Sequence, residues 1–130
     1  MPDIQRLNPD TMSEPAGYMH VVKTGNTVYI AGQISTAPDG SVVGKGDAEA
    51  QVRQIWRNIE AAIKSVGGNG ISNLVKTTTY VTDIAHAGAV RKVRNELFSS
   101  IQPPTSTLLV VSELAGPDYV AEIEAIAVVD

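Results

Sequence analysis

Apolar positions recur along the chain at two different periods. Val52, Ile55, Trp56, Ile59, Ile63 and Val66 follow the three-and-four spacing of one helical face. Asp47 stands where a capping carboxylate is needed, and Gly67-Gly68 supplies a stop. A second helix is predicted over Asp83 to Phe98, with Val90, Val93 and Leu97 as its stripe and Pro103-Pro104 blocking any continuation. The remaining apolar runs read as strands. Met19 to Lys23 and Thr27 to Gly32 flank a tight turn at Thr24-Gly25-Asn26. Leu74 to Thr82, Thr105 to Glu113 and Tyr119 to Val129 complete the set, the last two joined through Ala115-Gly116-Pro117-Asp118. Ser35 to Gly46, with Pro38-Asp39-Gly40, reads as a loop. The order is strands, helix, strand, helix, two strands, which predicts an α+β fold whose helices cover one face of a sheet.

The final strand carries the most information. Side chains alternate between faces, so Ala121, Ile123, Ala125 and Ala127 share one face and Val120, Glu122, Glu124, Ile126 and Val128 the other. The first set is small and apolar enough to pack under helices. The second sets two carboxylates among branched apolar residues, unlike an ordinary solvent face. Either that face meets water at its middle only, or, the favoured reading, another subunit covers it with the acids at a cleft. Other strands also carry apolar residues on both faces: Val28 and Ile30 against Tyr29 and Ala31, Leu108 and Val110 against Leu109 and Val111. This predicts burial in an oligomer.

The length, 130 residues, fits a single domain spanning 1–130. Hydrophobic residues at 43% and charged residues at 18% exclude a disordered chain. Aromatics are few, so the core is expected from Val, Ile, Leu and Ala, with Trp56 inside it. The absence of cysteine removes disulfides, thiolate nucleophiles and thiolate metal sites. His20 and His86 show no metal-ligand spacing and no triad pattern; His20 is expected in a surface or intersubunit hydrogen bond, and His86 exposed. No metal is therefore expected.

The net charge of −4 weighs against nucleic acid as a partner. Arg91, Lys92 and Arg94, the one tight basic cluster, read as a solvated helix face. Met1-Pro2-Asp3-Ile4-Gln5 lacks the flank and apolar run of a leader, and no apolar run reaches membrane-spanning length. A cytoplasmic protein without a membrane partner is the expectation.

With that order in place, the chain resembles the RidA/YjgF family of reactive-intermediate deaminases over nearly its whole length. The matching segments are Ala16-Gly17-Tyr18, Val28-Tyr29-Ile30-Ala31-Gly32-Gln33, Gln51 with Asn58-Ile59, Val75-Lys76-Thr77-Thr78, Thr82-Asp83 and Glu122-Ile123-Glu124-Ala125-Ile126-Ala127. Their order and spacing carry the resemblance. It implies a chorismate-mutase-like protomer, a mixed six-stranded sheet with two helices on one face, assembled as a homotrimer with ligand clefts between subunits. It also implies cofactor-free hydrolysis of enamines and imines, such as 2-aminoacrylate, to 2-keto acids and ammonia. By the same resemblance Tyr18 matches a cleft aromatic, Gln33 closes a Ser-Gly-Gln motif whose serine is Ala31 here, and Glu122 matches the glutamate that positions water. Arg91 stands at an asparagine's position. Pro103-Pro104-Thr105-Ser106 stands where the family has Pro-Ala-Arg-Ser, so Thr105 replaces the arginine that grips the substrate carboxylate.

An arginine meets a carboxylate with two charge-assisted donors, a threonine with one neutral hydroxyl. Losing that contact costs about 2–5 kcal/mol where the partner carboxylate stays buried and unpaired. A poor 2-aminoacrylate deaminase is expected. Two ligand types remain: an anion held by Arg91, with Arg94 a turn away, or, the favoured reading, a less charged molecule bonded by Thr105, Ser106 and Thr107. In catalysis Glu122 would orient or deprotonate water, its pKa moved toward neutrality by an apolar cleft and by Glu124 beside it. Tyr18 would donate a hydrogen bond or close over the ligand, and amides near Thr107 would polarise it. The main rival is a non-catalytic protein binding a small molecule in the same cleft.

Overall fold

The computed structural model describes residues 3–130; Met1 and Pro2, which open the segment read above for a leader, lie outside the described residues. Six strands form one sheet: β1 (Ile4–Leu7), β2 (Val21–Thr24), β3 (Thr27–Gln33), β4 (Leu74–Val81), β5 (Thr105–Val110) and β6 (Ala121–Val128). Two helices, α1 (Ala48–Ser65) and α2 (Ala87–Leu97), accompany it. The sheet order is β1-β2-β3-β6-β4-β5. Its one parallel pair is β4 with β5, so the sheet is mixed, as expected.

Local chemistry explains the element ends. Asp47 caps α1 by accepting from the amide of Ala50. At the other end Gly67 adopts φ +85°, Gly68 N–H bonds the carbonyl of Ile63 and Gly67 N–H that of Lys64. This is the left-handed glycine stop that the sequence suggested. The β2–β3 turn places Gly25 at φ +57°, where a two-residue hairpin wants a positive φ.

Several boundaries differ from the sequence expectation. β2 begins at Val21, not Met19, because the Asn8 side chain takes the amide of His20 at 3.0 Å. α2 begins at Ala87, after a short 3-10 turn at Ile84–His86 that Asp83 caps. β5 stops at Val110, since β4, its only ladder partner, has ended at Val81. β1 was not anticipated. Its Ile-Gln-Arg-Leu run is mostly exposed and becomes a strand by pairing with the edge of β2.

The core lies between the sheet and the two helices. α1 packs on β3 and β6 and against α2. Ile55, Ile59 and Ile63 of α1 and Val90 and Val93 of α2 join Val28, Ile30 and Ile123 of the sheet in one cluster. Each such side chain contributes about 1.5–3 kcal/mol on burial. Trp56 is core, edge-on to Phe98 at 5.5 Å. Ala121, Ile123, Ala125 and Ala127 are all buried under this layer, as their alternation predicted. Among the described residues the opposite face carries no helix, and Tyr29, Leu109 and Val128 on it are exposed. No helix among the described residues is long and apolar enough to cross a membrane.

Candidate active site

The site is built around an irregularity between β3 and β6. Ile30 pairs with Ala125 and Gln33 with Ile123, so β3 carries one extra residue there. Such a bulge re-aims side chains at a strand end. A Cβ on Gly32 would stand 2.8 Å from Cδ and 3.0 Å from Oε2 of Glu122. Gly32 is needed for space: its bare backbone lets the Glu122 carboxyl lie directly over it.

Glu122 is half-buried, and its pKa is raised, first by loss of hydration and then by the charge of Glu124. Both acids share the open face of β6. Tyr80 stands directly opposite Glu122 in the β4–β6 register, yet its hydroxyl donates to Oε1 of Glu124 at 2.7 Å. That bond pushes the Tyr80 phenol up.

A loop holding Tyr18 closes one side. Tyr18 is 53% exposed, its ring edge-on to His20. Tyr18, Ser13, Glu14, Gly32 and Thr36 line a recess of about 280 Å³. His20 is not at the surface as expected; it is buried, with Nε2 2.6 Å from the carbonyl of Ser13. A carbonyl only accepts, so Nε2 carries the proton and Nδ1 accepts from Nε2 of Gln33 at 3.1 Å. Gln33 also donates to the carbonyl of Ala31 at 3.0 Å. Gln33 is therefore buried and engaged, and the chain His20–Gln33 fastens the Tyr18 loop to the bulge. His86, expected exposed, is half-buried beside the start of α2.

The remaining candidates lie elsewhere. Ala31 borders a groove of about 350 Å³ on the open face, with Met19, Tyr29, Lys76, Glu124 and Ile126. Thr105 and Thr107 pair with Lys76 and Thr78, placing them on that same face. The Thr105 hydroxyl donates to the carbonyl of Val75 at 3.2 Å. Ser106 pairs with buried Thr77 on the helix side and receives Arg94 Nη1 at 3.4 Å. Arg91 is exposed on α2. Thr105 lies two strands from Glu122 and four residues along, roughly 16 Å by strand spacing and rise. Within one chain, then, the structure lays Glu122 over Gly32, which borders the Tyr18 recess, joins Ser106 to Arg94 on the helix side, and leaves Thr105 and Thr107 on the open face.

Two polar residues of the matching segments are clamps. Gln51 accepts from the amide of Val120 and donates to the carbonyls of Asp118 and Gly44, fixing the entry to β6. Asn58 donates to the carbonyls of Ile34 and Thr36, fixing the exit from β3. Among the described residues no three His, Asp or Glu side chains converge as metal ligands.

A family described as Endoribonuclease L-PSP matches residues 10–129. The chain belongs to the RidA/YjgF family. A RutC family protein of Pyrococcus horikoshii is 35% identical over 115 residues, 88% of this chain and 89% of its own. A mouse protein named 2-iminobutanoate/2-iminopropanoate deaminase is 29% identical over 98% of this chain and 95% of its own. The crystal structure of the E. coli YjgF gene product, 30% identical, superposes with a TM-score of 0.87 over 95% of this chain and 98% of its own. The α+β architecture expected from the resemblance is thus that of solved RidA/YjgF structures.

Proposed function

We propose that this RidA/YjgF protein hydrolyses a reactive imine or enamine to a carbonyl compound and ammonia, without a cofactor. The half-buried Glu122 carboxyl, laid over Gly32 beside the Tyr18 loop, carries this reading. Glu122 passes its proton to the imine nitrogen, and water adds through oxygen to the adjacent carbon. The water's surplus proton returns to Glu122. Collapse of the carbinolamine moves the hydroxyl proton to nitrogen through the same carboxyl, breaks the C–N bond and forms C=O. A carboxyl with a raised pKa suits both directions of transfer. The mouse relative's name supports the reaction class.

The cleft is completed by a second copy in a homotrimer. Support comes from the separation of Thr105 from Glu122 within one chain and from the uncovered apolar residues of the open face. One copy supplies Tyr18, Gly32 and Glu122; its neighbour supplies Thr105 and Thr107 from the open face of β5, whereas Ser106 lies on the helix side and Arg91 on α2. Thr105 makes 2-aminoacrylate a poor substrate, and its hydroxyl already has a carbonyl partner. A less charged imine fits better. That same loss also favours the second reading, a binding protein without turnover. RNA cleavage, which the matching family's description evokes, is opposed by the net charge of −4 and by two acids at the site.

The test is imine turnover. A panel of amino acids is oxidised in situ by an amino-acid oxidase, and carbonyl release is followed with and without the protein. Acceleration that disappears in Glu122→Gln is the expected result. No acceleration in the parent, with activity appearing in Thr105→Arg, would replace hydrolysis by binding as the native role. Light scattering that finds a monomer at micromolar concentration would remove the shared cleft.

A further inference from the structure

The open face of β6 presents two carboxyls but distributes its donors unequally between them. Glu122 and Glu124 are two residues apart on one strand face, about 7 Å between Cα atoms. At that separation the charge of Glu124 acts on Glu122, and whatever fixes the Glu124 carboxylate fixes that influence. Tyr80 sits across from Glu122 but bends its hydroxyl to Glu124, at 2.7 Å. Lys76 pairs with Ile126, so the nearest cation on β4 also lies on the Glu124 side. β3 offers Glu122 only the bare backbone of Gly32 and no titratable group; its one tyrosine, Tyr29, stands beside Ile126. The N-terminal loop brings Glu14, Tyr18 and His20 to the recess next to Gly32, His20 being engaged by Ser13 and Gln33, and no lysine or arginine. β5 faces the pair with hydroxyls and Leu109.

We propose that Tyr80 is a positioning residue that keeps the proton of this acid pair on Glu122. An O–H donor to an ionised carboxylate makes a bond roughly twice as strong as one between neutral groups. Tyr80 therefore holds the Glu124 carboxylate in place beside Glu122, and the charge held there favours the proton on Glu122, at the carboxyl that lies over Gly32. Removing the phenol frees that charge to move away from Glu122. The placement of the proton stands independently of any reaction; its use as the acid for an imine nitrogen rests on the proposed hydrolysis.

The experiment is a carbon-13 NMR titration of side-chain carboxyls in glutamate-labelled protein, with Glu122→Gln assigning the Glu122 signal. In Tyr80→Phe the Glu122 midpoint is expected to move to lower pH, and in Glu124→Gln to move lower still. A Glu122 midpoint unchanged in Tyr80→Phe would overturn the proposal. Should Tyr80→Phe fail to fold, the Tyr80 Cζ signal in Glu124→Gln decides. A phenol titration that falls toward the ordinary tyrosine value supports the contact; an unmoved one overturns it. Imine turnover is measured on the same samples. Midpoints that shift as expected without turnover keep the proton placement and remove the hydrolysis reading, whereas turnover with an unmoved Glu122 midpoint keeps the hydrolysis and removes the role of Tyr80.

Discussion

The two faces of β6 share one backbone, one set of ladder partners and one twist, yet they are different kinds of surface. Toward the helices, Ala121, Ile123, Ala125 and Ala127 are at most 4% exposed. Three of the four are alanine, which lets α1 approach the sheet, and Ile123 fills the space that remains. Toward the open side, Glu122 and Ile126 are half-buried, Glu124 is exposed and Val128 is 44% exposed. The first face is completed inside the chain. The second combines a half-buried acid with exposed apolar surface. Packing constrains every atom of the inner face, whereas the outer face is free to hold chemistry.

Substitutions that treat the two faces alike should expose that difference. The largest stability effect belongs to Ile123→Ala, which empties a fully buried position; a loss of about 2–5 kcal/mol is expected in denaturant unfolding. Gly32→Ala acts on the outer face. Its new Cβ collides with the end of a flexible side chain, so Glu122 moves while the backbone stays. Stability should change by less than about 1 kcal/mol. Imine turnover should fall about a hundredfold, the usual consequence of misplacing a reacting group by an ångström. A Gly32→Ala protein with full turnover would detach Glu122 from the chemistry.

The smallest effect is the pH dependence that Glu122 imposes. Its folded pKa lies above the ordinary value of 4.5, so the native state binds the proton more tightly than the unfolded chain. The stability it contributes is fully present below 4.5 and is lost as pH rises through the folded value. Glu122→Gln cannot titrate. Urea midpoints measured across that window should therefore fall with pH more steeply in the parent than in the variant. Parallel profiles would mean that folding leaves the Glu122 carboxyl as hydrated as it is in the unfolded chain.

Local rules made much of the fold legible in the residue order. The α1 stripe, its Asp47 cap and its Gly67-Gly68 stop are written in neighbouring residues, because caps and periodicity act over a few positions. The alternation of β6 told its inner face from its outer one for the same reason. β1 escaped because nothing in Ile-Gln-Arg-Leu demands a strand; the free edge of β2 does. His20 was misplaced because its burial depends on Asn8, Ser13 and Gln33 converging from separate segments.

The site divides along the same line. The exposure of Tyr18, the outer-face position of Glu122 and the open, two-sided character of the sheet were readable from residue type and period. Gly32 as the floor beneath Glu122, Tyr80 as the partner of Glu124, and the parting of Thr105 and Ser106 to opposite faces were not. Each depends on register: a strand's neighbours and its bulges are set by long-range pairing, and a shift of one residue reverses every face. The amino-acid sequence by itself determined which side of each strand its polar and apolar residues share. Only the tertiary structure decided which of them meet, because that is fixed by cross-strand register and loop packing between residues far apart in the chain.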